Sequence, residues 1–178
     1  MENKRNLRIR YLLFGLIGTA VLILLDQGTK ALAVRYLSGT DGIDLISGVL
    51  CLQYLENRGM AFGLFQNKQT FFYIMTVVIV PVIVWIYCRL PRTKHYLPLH
   101  ILSVVILAGA LGNFIDRVRL KYVIDFIYFE LIDFPIFNVA DIFVTVGMAV
   151  LLILIFFVYK EEDFAFLEKK KKEGSRDA

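Results

Sequence analysis

Several chemistries are excluded by what this chain of 178 residues has little of. It holds only two histidines, His95 and His100, and no HExxH pattern, so the histidine-rich ligand set of a zinc peptidase is missing. Its serines, Ser38, Ser47, Ser103 and Ser175, stand in no GxSxG elbow, and neither cysteine has a histidine at a spacing that suggests a thiol protease. No glycine-rich phosphate loop, internal repeat or disordered low-complexity domain occurs. The two cysteines, Cys51 and Cys88, fit no metal-binding spacing. No metal or cofactor is therefore expected, and the chemistry is left to carboxylates.

What is abundant is apolar. Hydrophobic residues make up 58% of the chain and the mean hydropathy is +0.65, too high for a soluble domain of this size. Four stretches are long enough to cross the roughly 30 Å hydrocarbon core as helices: about 11–34, 71–88, 97–115 and 139–159. Pro81 near the middle of the second predicts a kink. The chain thus reads as one integral membrane domain over 1–178, mainly α, with a charged tail at about 160–178.

Charge sets the expected orientation, because lysine and arginine in short flanking segments stay on the cytoplasmic side. Lys4, Arg5, Arg8 and Arg10 precede the first span, Arg89, Arg92 and Lys94 fill the second loop, and Lys160 and Lys169 to Lys172 follow the fourth. Both termini are expected to be cytoplasmic. The outward segments, about Arg35 to Thr70 and Asp116 to Asn138, lack such a basic excess. The net charge of +4 is accounted for by topology, with no nucleic-acid partner implied, and the lysine run of the tail is read as solvated, with contact to anionic membrane lipid as its alternative. Cys51 and Cys88 fall on opposite sides of the membrane, which precludes a disulfide between them. A cleaved secretory signal over Met1 to Ala33 is the competing reading of the first span. It is disfavoured because Asp26, Gln27 and Lys30 interrupt it and only three spans would remain.

With this topology the unusual polar residues come to one level near the outer interface. Asp26 and Lys30 end the first span, Asn113, Asp116 and Arg117 end the third, and Asn138 and Asp141 open the fourth. Ionisable groups at membrane depth are costly and therefore pair or line a water-accessible site. The i, i+4 spacing of Asp26 and Lys30 favours an ion pair that anchors the span. Asp116 has two readings: neutralised by Arg117 and orienting the local backbone, or catalytic. Asp125 stands in the apolar run VIDFIYF, where a carboxylate has little local reason to exist. Asp141 is either a helix cap or a reacting group. Two carboxylates facing each other across a water share one proton and form an acid and base pair for peptide hydrolysis. The residues alone leave open whether Asp116 or Asp125 opposes Asp141.

The segments DQGTK (Asp26 to Lys30), NRGMAFG (Asn57 to Gly63), AGALGNFIDR followed by YVIDF, and FNVAD (Phe137 to Asp141) resemble the lipoprotein signal peptidases, also called signal peptidase II. The likeness runs from the first span to the fourth. It implies a bacterial inner-membrane aspartic endopeptidase, active at the outer face, that cleaves before a diacylglyceryl-modified cysteine of a prolipoprotein. It also implies a small extracytoplasmic β-sheet cradle and loop over the site. By this likeness the dyad falls on Asp125 and Asp141. Asn57, Asn113, Arg117 and Asn138 line or support the site, and Asp26, Lys30 and Asp116 are architectural. Departures from the family pattern occur at Ala108, Met60 and Lys121, where the last bears on the turn before Asp125. ISGVLCLQYL and MAFGLF are expected to supply small strands. A monomer is expected. The alternatives are a small proton-coupled transporter and a non-cleaving lipoprotein-binding protein.

Overall fold

The computed structural model describes residues 4–59 and 69–167. Met60, the MAFGLF segment and the lysine run at 169–172 lie outside the described residues. Among the described residues four helices are long and apolar enough to span a membrane: α1 (Lys4–Leu37), α2 (Gln69–Arg89), α3 (Leu97–Leu120) and α4 (Val139–Phe157). Each expected span lies within or nearly coincides with one of them. At about 1.5 Å per residue, the 34 residues of α1 make it far longer than the hydrocarbon core, so both its basic first turns and its last turn project beyond. Helix α2 runs through Pro81 as one element.

Most of the surface of α1, α2 and α4 is apolar and exposed, as lipid-facing helices require; Leu16 and Leu24 are each 71% exposed. Helix α3 packs against the other three and forms the centre. Close approach is secured by two glycines. A Cβ on Gly109 would lie 2.5 Å from the Ala140 carbonyl oxygen, and one on Gly112 would lie 2.5 Å from Oδ2 of Asp26. Small residues of this kind let membrane helices meet backbone to backbone. Ala108, where the family pattern has glycine, is fully buried and fits as alanine.

A three-stranded antiparallel sheet sits at one end of the bundle, in the order β1 (Ile43–Ile46), β2 (Leu50–Asn57) and β3 (Val123–Tyr128). Two strands come from the expected segment ISGVLCLQYL and its flank. The third is the run that holds Asp125. Ile124 and Phe126 of β3 pack on Ala33 and Leu37 at the end of α1, which fixes the sheet to the helices. Beyond β3, a short 3-10 turn at Glu130–Ile132 leads to Phe137, which pairs with Ile127 before α4 begins. The first turns of α1, the α2–α3 connection and the segment that follows α4 gather at the opposite end. There Tyr87 donates a hydrogen bond to the Tyr11 carbonyl, Tyr159 donates to the His95 carbonyl at 2.7 Å, and His95 meets Asp163 at 2.9 Å. Cys51 and Cys88 are both free, one in β2 and the other near the far end of α2.

The third helix extends past the expected stop at Ile115, so Asp116 and Arg117 belong to helix and not to loop. It ends at Lys121, whose backbone is left-handed with φ +70° and whose N–H donates to the Arg117 carbonyl at 3.1 Å. That geometry favours glycine, so Lys121 closes the helix at some conformational cost. Replacing Lys121 by Gly is expected to leave the fold intact and to raise stability by no more than ~1 kcal/mol, part of the gain being offset by the freer unfolded chain. Denaturant midpoints of the two proteins in one micelle type check this.

Candidate functional site

Asp125 is placed by the sheet. It pairs with Leu55 of β2, so Asn57, two residues along on the same face, lies diagonally beside it. Asn57 donates from Nδ2 to Oδ2 of Asp125 at 2.7 Å, and Asn138 donates from Nδ2 to Oδ1 at 2.6 Å. A second hydrogen bond, from the Gly59 N–H to Oδ1 of Asn57 at 2.9 Å, orients that amide.

Asp141 is placed by the start of α4. Asn138 is the N-cap, and its side-chain oxygen accepts the Asp141 N–H at 3.0 Å; Asp141 in return accepts the Asn138 N–H on Oδ2 at 3.1 Å. This reciprocal capping box gives Asp141 the capping role that is one of its two readings. It leaves Oδ1 to accept from Nδ2 of Asn113 at 2.8 Å. Asn138 is fully buried and bridges the two aspartates: its amide nitrogen donates to the Asp125 carboxylate, its amide oxygen accepts the Asp141 backbone N–H, and its own backbone N–H donates to the Asp141 carboxylate.

Beneath them lies an ion network. The Lys30 ammonium reaches Asp26 Oδ2 at 3.0 Å, Asp116 Oδ2 at 2.8 Å and Asn113 Oδ1 at 3.0 Å, using its three donors. The expected i, i+4 pair is therefore present, extended to a second acid. Asp26 also accepts the Ala140 N–H of α4 on Oδ1 at 3.0 Å, and Asp116 accepts the Ile124 N–H of β3 at 3.3 Å. These three charged side chains are almost wholly buried. Gln27, which the sequence marks only as part of a polar interruption, completes the network by donating to Asp26, Asp116 and the Gly112 carbonyl.

Asp116 is not neutralised by Arg117. Adjacent residues on a helix point in different directions, so the acid turns inward to Lys30 while Arg117 turns towards α2, its guanidinium 4.3 Å from the centroid of the Phe72 ring. Tyr73 binds the Arg117 carbonyl at 2.8 Å and holds that turn against α2.

A cavity of about 490 Å³ opens beside the sheet. Asp125, Asp141, Asn57 and Arg117 line it with Phe72, the 134–137 segment and the first turns of α4 through Thr145 and Val146, whereas Asp26, Lys30, Asn113, Asp116 and Asn138 do not. The structure thus separates the nine expected site residues into a lining set and a supporting set. Thr145 is a lining polar group with no sequence signal beyond its place one turn after Asp141. Burial, and then the negative charge of Asp141, push the Asp125 carboxyl up to about 7, outweighing the hydrogen bonds from Asn57 and Asn138. Among the described residues no group of three or more His, Cys, Asp or Glu side chains is disposed to hold a metal ion.

Comparison with known proteins agrees with this architecture. The family model described as Signal peptidase (SPase) II matches residues 18–157. The chain is 45% identical over 139 residues to the lipoprotein signal peptidase of Caldanaerobacter subterraneus subsp. tengcongensis, covering 78% of this chain and 92% of that one. It is 40% identical over 144 residues to the lipoprotein signal peptidase of Streptococcus pyogenes serotype M1, covering 81% and 91%. A solved bacterial membrane enzyme superposes with a TM-score of 0.69 at 31% identity, over 89% of this chain and 93% of the other. The four membrane helices, the three-stranded sheet over their ends and these likenesses lead to one assignment: the chain belongs to the signal peptidase II family.

Proposed function

We propose that this chain is an aspartic endopeptidase, cutting signal peptides from diacylglyceryl-modified prolipoproteins just before the lipid-bearing cysteine. The observation that carries the reading is the pair of aspartates, Asp125 and Asp141, on the wall of one cavity, with Asn138 bound to both. Each comes from a different element, β3 or α4, and each is oriented by amide donors. Such a pair activates water directly. Asp141 takes a proton from the water as its oxygen bonds to the scissile carbonyl carbon. Asp125, in its protonated form, donates first a hydrogen bond to the developing oxyanion and then the proton itself to the leaving nitrogen as the C–N bond breaks. No covalent intermediate forms. Arg117 and Asn57 face the bound peptide, while Lys30, Asp26, Asp116 and Asn113 hold the framework.

The basic residues at the helix ends support a cytoplasmic placement of both termini, with the sheet and cavity at the outer face of the bacterial inner membrane. The proposed working form is a monomer. A proton-coupled carrier would need a chain of polar groups through the bilayer. Here Thr19 and His100, buried deeper in the bundle, each leave a polar atom without a hydrogen-bond partner among the described residues.

The test is cleavage of a diacylglyceryl-modified precursor by purified protein in lipid, with the new N-terminus identified by mass spectrometry. Cleavage before the modified cysteine, with the unmodified precursor left intact, is expected; binding without cutting would assign the chain to the non-cleaving alternative. The pH profile follows from Asp125. Its carboxyl must be protonated for the proposed step, so kcat/KM is expected to fall by about tenfold per pH unit above about pH 7. The folded-state value is raised above the ordinary carboxylate range. The protonated acid therefore favours the fold, and its contribution to stability diminishes as pH rises from about 4 to about 7. A profile flat to pH 9 would remove Asp125 from the proton-transfer step.

A further inference from the structure

The connection between β3 and α4 has a feature that neither the sheet nor the cavity requires. Leu131 and Ile132, on its 3-10 turn, are 69% and 68% exposed. The exposure is built in. The Phe134 N–H donates to the Phe129 carbonyl at 3.1 Å, Asp133 N–H to the Glu130 carbonyl at 3.0 Å, and the Tyr128 hydroxyl to Oδ1 of Asp133 at 2.8 Å. Phe129 stacks on Phe137 with centroids 5.8 Å apart. The turn is thus pinned with two aliphatic side chains directed away from the protein, an arrangement that is costly in water and favourable in lipid.

Its position decides what covers it. The loop stands where α4 begins, at the level where the bundle leaves the hydrocarbon. Phe134 and Pro135 wall the cavity on one side, and that wall continues onto Ile142 and Val146 of α4, which is a lipid-facing helix. Exposed apolar side chains, Phe134, Ile142 and Val146, thus line the same cavity as the aspartates. Charge narrows the choice of lipid: no lysine or arginine occurs between Lys121 and Lys160, and the loop itself carries Glu130 and Asp133. Apolar area, and not attraction to anionic headgroups, must drive the contact.

We propose that the 129–135 loop is a membrane anchor, with Leu131 and Ile132 seated among the acyl chains of the adjoining leaflet so that a lipid-bearing substrate passes from the bilayer along Phe134 to the cavity. The second half of this statement rests on the proposed peptidase function; the first does not.

Trp85 is the only tryptophan, so a Trp85→Phe background allows single probes. Leu131→Trp and Ile132→Trp, with Gln53→Trp on the exposed face of β2 as the reference, are reconstituted into zwitterionic vesicles containing lipid brominated along its chains. Fluorescence at 131 and 132 is expected to be quenched by at least half, that at 53 hardly at all, and anionic lipid is expected to add nothing. Equal emission at all three sites, dependence on anionic lipid, or blue-shifted but unquenched emission, the signature of burial against another protein, would each overturn the anchor. This measurement needs no turnover and stands whether or not the peptidase reading does. The second arm is Leu131→Gln with Ile132→Gln. Both side chains are outside the core, so the fold is retained. In bilayers KM for the diacylglyceryl precursor should rise about tenfold, equivalent to about 1.4 kcal/mol, with kcat unchanged. An unchanged KM would remove the loop from substrate delivery.

Discussion

Asp125→Asn and Asp141→Asn are each expected to lower turnover of a lipid-modified precursor by at least about 10³-fold while leaving its binding within a fewfold, because each removes a group proposed to transfer a proton and little volume. The double variant will be no slower than the worse single one, since two members of one device are not additive. Stability has to be measured alongside. An asparagine at 125 offers one oxygen to two amide donors, those of Asn57 and Asn138. One donor is then left unpaired, at a cost of about 1–3 kcal/mol. Rates are therefore compared per folded molecule. Asp116→Asn is the informative contrast, since Asp116 lies off the cavity wall and binds Lys30. Its folded fraction should turn over near the wild-type rate. A dead Asp116→Asn beside an active Asp125→Asn would reverse the proposed partnership.

The second large effect concerns folding. Lys30→Met should destabilise the protein by about 3–5 kcal/mol, because it strands Asp26 and Asp116 without their shared cation in a buried site. Gln27 can satisfy one oxygen of each acid but cannot offset two charges. Unfolding midpoints in a single detergent at fixed protein-to-detergent ratio report the loss. The variant that adds Asp26→Asn and Asp116→Asn should recover much of it, since neutral amides need no counter-charge. If Lys30→Met alone unfolds with the wild type, the network holds nothing together.

How far these features were readable beforehand depends on how local their causes are. The spans follow from runs of apolar residues, and the common level of Asp26, Asn113 and Asp141 follows from where those runs stop. The Asp26–Lys30 pair follows from helical spacing alone. The pairing of β2 with β3 joins segments more than sixty residues apart, and nothing in either indicates the other; Asp125 stood out only as a charge in an apolar run. Of the readings open for Asp116, neutralisation by Arg117 is the one that fails, because proximity in sequence suggests it whereas helical geometry turns the two apart. Gln27 carried no signal because an amide in a membrane helix becomes meaningful only once its acceptors are known. The stop of α3 at Lys121 was hidden by a residue type that rarely adopts a left-handed backbone. The family resemblance, and not periodicity, chose Asp125 over Asp116.

One hydrogen bond bears on how the protein is made. Asp26, in the first helix synthesised, is completed by the Ala140 N–H in the last. A nascent chain inserted as far as its third helix holds Lys30 and both structural acids but has neither the donor that completes Asp26 nor Asp141 and its asparagine cap. With the proposed dyad, such a chain has no hydrolytic capacity at all. The ribosome must therefore deliver about four-fifths of the polypeptide before the proposed dyad is complete.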